Sequence, residues 1–557
     1  MRFLVYCTLT VLFLACKPRQ GEKNVAKAEI ERPNILWITC EDISPTLSIY
    51  GDSTALTPNL DALASESLVY EKAYSVVGVC APSRSAIVTG MYPTSMGTMH
   101  MRTGKDVIGW GTREYAEHTD GEDIAGNPIR EYAAVIPEYV KCFPEFLRKV
   151  GYFTSNNPKT DYQFAAPVTA WDENGRTAHW RHKKDGQPFF AVFNIEDTHE
   201  SKIWKYSDRP LTVSKDSVTL PAYYQDTQIS REDVARNYSN IEIMDKKVGE
   251  IIAQLKQDGL YDNTIIFFYS DHGGPLLRGK REIYESGLHV PFMVKDLKGT
   301  TGRTDRMISF VDLAPTILSL ANVEIPGYME GRAFMGGQEE APRQYVYGSS
   351  DRFDEFSDRS RAVYDQQYLY IINDFPDKTW YKDVSYRKQI PMMREMLTLR
   401  DAGKLNATQM KWFQTRPQDE LYDVVKDPQT LHNLAGEAGF ENVRKRLRSK
   451  LLEFRDRYQD YGMMPESQLI AQMWPGNKQP VTHAATIDKK GENVVLNCST
   501  KGASIGYILS DKPLDNLDLD SGWQVYDKPL EVKKGQYIYV MTQRIGFRES
   551  GITSKAL

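Results

Sequence analysis

The chain contains 557 residues, of which 41% are hydrophobic and 11% aromatic, so it can bury a large core and we expect more than one domain. This composition excludes disorder on a large scale. The formal net charge of −5 excludes electrostatic capture of a polyanion by the whole protein surface and does not indicate nucleic acid binding, so any attraction for an anionic ligand must be local.

The N-terminus predicts export from the cytoplasm. Met1 and Arg2 precede an apolar run that ends at Ala15, which is too short to span a membrane as a mature helix and is typical of a signal peptide over residues 1–15. The end of the run resembles a bacterial lipoprotein box. This resemblance implies a lipid anchor on Cys16 and attachment to a membrane, in the periplasm or on the outer membrane or cell surface. Ordinary signal cleavage followed by secretion is the alternative.

A strand with acidic residues at its end is predicted near the start of the mature chain. Residues 34–39 are apolar and β-rich, which predicts a buried strand, and Glu41 and Asp42 follow it. In open α/β sheets, ligands gather outside the carboxyl ends of the strands. The acidic pair is therefore a candidate site, with an exposed turn as the alternative.

The strongest local signal is the segment VCAPSR, in which Pro82, Ser83 and Arg84 follow Cys80 at fixed offsets. Pro82 suits the first turn of a helix that continues to Thr89, so free backbone N–H groups at its start would face an anion. A lone cysteine is usually a small buried hydrophobic residue, but that alternative predicts nothing about the residues after Cys80. The segment resembles the signature of the type I sulfatases.

This resemblance implies a modified nucleophile at position 80. In that family a maturation enzyme oxidises the cysteine to formylglycine, and the aldehyde hydrates to a geminal diol that attacks sulfur with help from the motif arginine, here Arg84. A covalent sulfuryl-enzyme then forms, and loss of a proton from the second hydroxyl expels sulfate. His100 and Arg102 lie just beyond the predicted helix and are candidate substrate-binding residues.

Two further segments supply candidate catalytic groups. Residues 151–159 resemble the second sulfatase signature, which implies a catalytic role for Lys159. Many members carry a histidine two positions later, where this chain has Asp161, a candidate substrate-binding residue. The base that releases sulfate therefore stays open between Asp161 and a nearby histidine. Residues 193–195 resemble a strand end that precedes an active-site histidine, so His199 is the candidate general acid.

A second acidic cluster follows a predicted strand further along the chain. Apolar spacing predicts a helix over residues 234–256, and the β-rich run 264–270 predicts a strand that ends just before Asp271 and His272. Three converging carboxylates would repel one another unless a cation neutralised them, and oxygen ligands select hard ions, here Ca²⁺ or Mg²⁺. A thiolate at Cys80 is too soft for such an ion, whereas a diol oxygen is suitable. For Asp-His-Gly, a helix cap is the alternative.

The family resemblance assigns roles to these residues. It implies a metal set that consists of Glu41, Asp42, Cys80, Asp271 and His272, with Glu41 in place of the more usual aspartate. Residues 279–291 resemble the lysine segment of the family, so Lys280 would hold the sulfate. Either Lys280 or His199 would then protonate the departing sugar oxygen.

Helices and strands alternate from about residue 30 to 345, which predicts an α/β domain. The resemblance covers residues 33–434 and implies the alkaline-phosphatase-like sulfatase fold, a large mixed sheet flanked by helices. Aromatic strand-like runs over residues 346–475 predict a smaller α+β C-terminal subdomain. Short strands, one of them over residues 524–532, predict a small β-module over residues 490–557, similar to the terminal module of some chitobiases and hexosaminidases. For this module we favour packing support over glycan contact.

The residues and the resemblance together favour hydrolysis of sulfate esters on a carbohydrate. A sulfated polysaccharide or its oligosaccharides would be the substrate, with an algal polymer such as ulvan favoured and a glycosaminoglycan as the second possibility. Two alternatives remain open. The first is a phosphonate or phosphate monoester hydrolase of the same superfamily, and the second is an inactive glycan-binding homologue.

Overall fold

A computed structural model describes residues 32–104 and 114–557 of the chain. The predicted signal peptide over residues 1–15 and the predicted lipid anchor Cys16 lie outside the described residues. Arg32–Leu557 form one compact unit. Within the described residues, none of the helices has the length and apolar character needed to cross a membrane.

The N-terminal part of the unit is built on an eight-stranded mixed sheet. Its elements up to residue 320 are eleven strands, β1 (Asn34–Cys40), β2 (Leu68–Tyr70), β3 (Ala73–Tyr74), β4 (Phe153–Asn157), β5 (Glu173–Asn174), β6 (Phe189–Ile195), β7 (Thr264–Ser270), β8 (His289–Val290), β9 (Phe292–Lys295), β10 (Gly302–Thr304) and β11 (Ile308–Ser309). The helices of this part are α1 (Pro58–Ser65), α2 (Cys80–Thr89), α3 (Pro93–Met96), α4 (Pro144–Lys149), α5 (Ser201–Lys205), α6 (Gln228–Gln257), α7 (Glu285–Leu288) and α8 (Leu313–Leu320). The main sheet has the order β10-β2-β9-β7-β1-β6-β4-β5, and β11-β3-β8 form a small second sheet.

Strand β1 lies at the centre of the main sheet and is parallel to both of its neighbours, β6 and β7. All seven of its residues are buried, as expected for a strand covered on both faces. Leu36 and Ile38 belong to the same core cluster as Met244 of α6, whereas Ile35 and Trp37 pack in the cluster that contains Leu313 of α8. Successive side chains point to opposite faces, so the sheet is sandwiched between helices, as the resemblance predicted.

The middle part of the chain contains a four-stranded antiparallel sheet, β12 (Val346–Ser350), β13 (Ser360–Tyr364), β14 (Tyr368–Asn373) and β15 (Asp419–Asp423), paired in that order. Its helices are α9 (Pro391–Asp401), α10 (Ala407–Lys411), α11 (Glu441–Arg457) and α12 (Glu466–Met473). Leu447 and Leu451 of α11 pack against Val363 and Tyr370 of the sheet. Sheet and helices together match the α+β character expected for this region.

The terminal part is all β. Its strands are β16 (Thr486–Lys490), β17 (Asn493–Asn497), β18 (Ser504–Ser510), β19 (Gln524–Val525), β20 (Leu530–Glu531), β21 (Tyr537–Gln543) and β22 (Thr553–Ala556), which form the sheets β16-β17-β20 and β19-β18-β21-β22. The single strand predicted over residues 524–532 was wrong. It is two short strands in different sheets, separated by an irregular segment that contains Pro529, which lacks the N–H that a ladder needs. The domain boundaries drawn from the sequence stay predictions.

Candidate active site

The carboxyl ends of β1, β6 and β7 converge on one site. The backbone N–H of Asp42 donates to Oδ1 of Asp271 over 3.2 Å. The N–H of Asp271 donates to the Cys40 carbonyl (3.1 Å), and the N–H of Glu41 donates to the Ile195 carbonyl (3.2 Å). The acidic residues after β1 and β7 are therefore neighbours, because the strands that precede them are paired in parallel.

Helix α2 starts at Cys80, and its first turn points toward the carboxylates that follow β1 and β7. The Cys80 Sγ lies 3.3 Å from Nε2 of His272, and the Ser83 hydroxyl donates to the Asp271 carbonyl over 2.6 Å. No side chain caps the helix at Val79, so the positive end of the helix dipole faces the site. Position 80 therefore lies between the helix N-terminus, which favours a bound anion, and the acidic cluster.

Arg84 lies one turn further along α2 and joins all three strand ends. Its Nε donates to Oδ2 of Asp271 (3.0 Å), and its guanidinium also contacts Oδ1 of Asn194 (2.7 Å) and Oε1 of Glu41 (3.5 Å). The Thr39 hydroxyl donates to the same Asn194 oxygen over 2.9 Å. Asn194 was not among the predicted site residues, although its position at the end of β6 is a signal that could have identified it.

Lys159 and Asp161 lie beside Glu41. The Lys159 Nζ is 2.7 Å from Oε1 of Glu41 and 3.4 Å from Oδ2 of Asp161. Burial raises the pKa of Glu41, although Lys159 and Arg84 act to lower it. Asp161 has φ of 54° and is buried, and its Oδ2 accepts no hydrogen bond from the described residues. Aspartate adopts this backbone region more readily than most non-glycine residues.

Lys280 is held between two carboxylates. Its Nζ lies 3.0 and 2.8 Å from the two oxygens of Asp42 and 3.3 Å from Oε1 of Glu200. Burial alone would lower the pKa of Lys280, but Asp42 is the main group that raises it well above its ordinary value. Lys280 is therefore protonated in the free protein. Glu200, like Asn194, was not predicted from the sequence.

The donor set around His272 fits a hard divalent cation. Nε2 of His272 lies 3.1 Å from Oδ1 of Asp42 and 3.7 Å from Oδ1 of Asp271. Cys80, Asp271 and His272 each offer a ligand atom within 4.8 Å of one another, and Cys80 shares a second such group with Glu41, Asp42 and His199. Burial lowers the pKa of His272, but Asp271 and Asp42 raise it to about 10. A divalent cation would neutralise this concentration of negative charge, and His272 would lose its proton on binding and supply Nε2 as a nitrogen ligand.

Comparison with known families fits this arrangement. The model of the family described as Sulfatase matches residues 33–180 and 176–323, which together are more than half of the chain. The chain belongs to the sulfatase family. It is a sulfuric ester hydrolase, and a formylglycine nucleophile and a divalent metal are typical of this family. A second model, described as N-sulphoglucosamine sulphohydrolase, C-terminal, matches residues 276–381.

Individual relatives of this sulfatase carry carbohydrate-related names. An ulvan-active sulfatase of Formosa agariphila is 40% identical over 97% of this chain and 95% of its own. The human N-sulphoglucosamine sulphohydrolase is 24% identical over 76% of this chain and 89% of its own.

Solved structures share the fold of this sulfatase. The putative sulfatase yidJ of Bacteroides fragilis superposes with a TM-score of 0.55 over 80% of this chain and 99% of its own, at 19% identity. A phosphonate monoester hydrolase of Silicibacter pomeroyi gives a TM-score of 0.53 over 78% and 97% of the two chains, at 16% identity. At these identities the superpositions show the alkaline-phosphatase-like sulfatase fold and nothing further.

His199 of the sulfatase lies at the mouth of the site. Its Nε2 is 3.8 Å from Oε2 of Glu41, and its Nδ1 is 2.9 Å from the Ser201 hydroxyl. Burial and the charge of Lys280 lower the pKa of His199 well below its ordinary value, so the free protein holds a neutral imidazole. A bound anion would favour the protonated ring.

A cleft of about 560 Å³ opens beside this mouth. Arg102, Asp354 and Tyr386 are among the residues that line it. The Tyr386 ring centroid lies 6.3 Å from that of His199. Arg102 therefore lines a cleft whose wall includes Tyr386, a ring neighbour of His199, and its role in substrate binding stays a prediction.

His100 does not line this cleft. It is 4% exposed and borders a small separate cavity together with Arg352 and Glu466. Its Nδ1 lies 3.7 Å from Oε2 of Glu466, and neither ring nitrogen makes a hydrogen bond to the described residues. The sequence placed His100 and Arg102 together, but Arg102 adopts a positive φ of 62°, and the two side chains enter different surroundings.

Proposed function

We propose that this sulfatase hydrolyses sulfate esters on a carbohydrate, with the side chain at position 80 as the nucleophile. The observation that carries the proposal is the meeting of the α2 N-terminus, which begins at Cys80, with a buried set of carboxylates and cations. The names of the relatives that match most of the chain support a carbohydrate substrate. Because the full-length relative at 40% identity is named as ulvan-active, an algal polysaccharide such as ulvan is the favoured substrate and a glycosaminoglycan the second candidate.

The nucleophile in this proposal is Cys80 after oxidation to formylglycine by a maturation enzyme. The modified side chain would supply two hydroxyl groups, one to attack sulfur and one whose loss of a proton releases sulfate. Asp161 is the candidate acceptor for that proton, because its Oδ2 is buried near Lys159 and has no hydrogen-bond donor among the described residues.

The candidate ligands of a divalent cation are Glu41, Asp42, Asp271, His272 and the oxygen at position 80. Bound there, Ca²⁺ would supply Lewis-acid activation of that oxygen. We favour Ca²⁺ over Mg²⁺ because the set includes up to three carboxylates and needs flexible, higher coordination. Treatment with a chelator should abolish turnover, and Ca²⁺ should restore it at lower concentration than Mg²⁺. Full activity in exhaustively chelated protein would contradict the assignment.

In this proposal the sulfate group is bound by three buried cations, Arg84, Lys159 and Lys280. Asn194 fixes the guanidinium of Arg84 through a 2.7 Å hydrogen bond, so that group needs little reorganisation when an anion enters. On the side of the cleft, His199 or Lys280 would donate a proton to the departing sugar oxygen.

The experiment that tests the function is sulfate release from a panel of substrates. Ulvan oligosaccharides, sulfated glycosaminoglycan oligosaccharides and a matched pair of aryl sulfate and aryl phosphonate would each be incubated with matured protein. We expect release of inorganic sulfate from a carbohydrate, and a decrease of about a thousandfold or more in kcat/KM for Cys80→Ala. The control is Cys142→Ala, which removes another buried free thiol outside the site. Equal turnover of the phosphonate would favour the alternative hydrolase, and unchanged turnover in Cys80→Ala would contradict the proposal.

We also propose that the protein is exported and anchored by a lipid on Cys16. Cys16→Ser should then move the protein from the membrane fraction to the soluble periplasmic or secreted fraction. If Cys16→Ser left the distribution between these fractions unchanged, the lipid anchor would be contradicted. Secretion without a lipid would then be the remaining alternative.

A further inference from the structure

Glu200 follows His199 and contacts three different parts of the site. It is 1% exposed. Its backbone N–H donates to Oδ2 of Asp42 over 2.7 Å, and its Oε2 accepts from NH1 of Arg281 over 2.9 Å. Its other oxygen, Oε1, lies 3.3 Å from Nζ of Lys280 and makes no hydrogen bond to the described residues. One carboxylate oxygen is thus fixed and the other is directed at the lysine ammonium.

Arg281 holds this carboxylate in a fixed orientation. While NH1 contacts Glu200, its Nε donates to Oδ2 of Asp354 over 2.8 Å, and its backbone N–H donates to the Gly78 carbonyl over 2.6 Å. The backbone of Arg281 has φ of 74°, a region that non-glycine residues adopt only when their surroundings enforce it. With backbone and side chain both anchored, the guanidinium cannot follow a movement of Glu200.

We propose that Glu200, fixed by Arg281, is a positioning residue that keeps the ammonium of Lys280 in the sulfate pocket. The proposal rests on the proposed function, in which Lys280 holds the sulfate. A lysine ammonium ends a flexible four-carbon chain and has no preferred direction of its own. Asp42, its other carboxylate neighbour, is a candidate cation ligand, whereas Glu200 is outside the candidate ligand set. Glu200 is therefore the carboxylate neighbour of Lys280 that a bound cation would not engage.

The same contacts connect the sulfate pocket with the cleft. Asp354 lines the cleft beside Tyr386 and forms the outer end of the ion-pair chain Asp354, Arg281, Glu200 and Lys280. The position of the lysine thus depends on a residue of the cleft wall. We expect Asp354→Asn to weaken activity in the same direction as a change at Glu200, but to a smaller extent, because two residues, Arg281 and Glu200, separate it from Lys280.

The test combines Glu200→Gln with Lys280→Ala. Glutamine keeps the size of the side chain and an oxygen for Arg281, but it removes the charge that faces Lys280. We expect Glu200→Gln to lower kcat/KM for a sulfate ester about 10- to 100-fold, the usual range for a residue that orients another functional group. In the Lys280→Ala background the same substitution should cause no further loss, because coupled residues are not additive. An activated aryl sulfate keeps the slow variants measurable.

The affinity for inorganic sulfate, measured by calorimetry, is a second readout. The direction of its change in Glu200→Gln separates positioning from a simple charge effect. Loss of a negative charge near an anion site should by itself tighten sulfate binding. Positioning predicts the opposite, weaker binding in Glu200→Gln, and this weakening should disappear once Lys280 is alanine. The matched control is Asp358→Asn, which alters a buried carboxylate paired with Arg416 outside the site and should leave sulfate affinity unchanged at a similar cost in stability.

Two results would overturn the proposal. One is an equal loss of kcat/KM from Glu200→Gln in both backgrounds, and the other is tighter sulfate binding in that variant. Both differ from failure of the proposed function, which would appear as absence of sulfate release by the unsubstituted, matured protein.

Discussion

At the scale of single residues, His100 shows how burial decides what a side chain does. Its position just after the motif helix suggested contact with substrate, yet the imidazole lies among buried groups, 3.7 Å from Glu466. Burial, and then the charges of Arg352 and Arg361, lower the pKa of His100 to about 4, although Glu466 acts to raise it. The folded protein therefore keeps this ring neutral at a pH where an unfolded chain would protonate it.

This shift predicts a specific acid sensitivity. Between about pH 6.5 and pH 4 the unfolded chain binds a proton at His100 that the folded protein does not, so stability decreases as the pH falls through this window. The contribution is at most about 3 kcal/mol. His100→Gln should make the free energy of unfolding less dependent on pH in this window. Urea unfolding of both proteins at pH 7 and pH 4.5 measures the difference, and parallel pH dependence in the two proteins would contradict the shifted pKa.

At the scale of elements, the junction that precedes α2 depends on the absence of a side chain at position 78. A Cβ on Gly78 would lie 2.3 Å from the Glu282 carbonyl oxygen, and the Gly78 carbonyl itself accepts the N–H of Arg281. Gly78→Ala should therefore displace either the segment of Lys280 or the start of α2. We expect a loss of about 1 to 3 kcal/mol in stability, as for other overpacked sites, together with a decrease in kcat.

The matched control for this prediction is Gly436→Ala, since a Cβ at position 436 meets nothing within 4 Å. Thermal unfolding and sulfate release would be measured for both variants. If Gly78→Ala behaved like Gly436→Ala in both assays, the close approach of the two backbones would have no role in the site.

The same scale shows what the sequence could and could not predict. The strands that end at Cys40 and Ser270 were predicted because each is a run of apolar, β-rich residues. In the structure these two strands pair in parallel, and the pairing brings Asp42 and Asp271 together. Asn194 and Glu200 were missed because their partners are set by the pairing of β6 with β1, a contact distant in sequence. Asn194 binds the motif arginine, and Glu200 faces Lys280. Asn194 had one local signal, its position at the end of β6, whereas the two contacts themselves have no pattern in the sequence.

At the scale of the whole molecule, the terminal β-module packs closely on the N-terminal part. Arg544 donates to the Ile136 carbonyl over 2.6 Å, and Lys141 donates to the Gly502 carbonyl over 2.7 Å. A Cβ on Gly502 would lie 2.2 Å from the Glu138 carbonyl oxygen. These contacts support the packing role that the sequence favoured for the module.

A pair of glycine substitutions separates packing from glycan contact. Gly502 and Gly522 both have positive φ, 73° and 79°, but a Cβ at Gly522 meets nothing within 4 Å. Alanine at either position should cost about 1 to 2 kcal/mol for the left-handed backbone, and only Gly502→Ala should lose more because of the clash. Thermal unfolding compares them. Equal stability of the two variants, with a loss of polysaccharide binding in Gly502→Ala alone, would instead favour glycan contact.

The account as a whole depends on the chemical state of residue 80. Mass spectrometry of the peptide that contains this residue, taken from protein with measured sulfate-releasing activity, tests it most directly. We predict that the sulfur is replaced by an aldehyde oxygen in a fraction of molecules that rises in proportion to the specific activity of the preparation. A fully active preparation in which residue 80 is an unmodified cysteine would contradict the account.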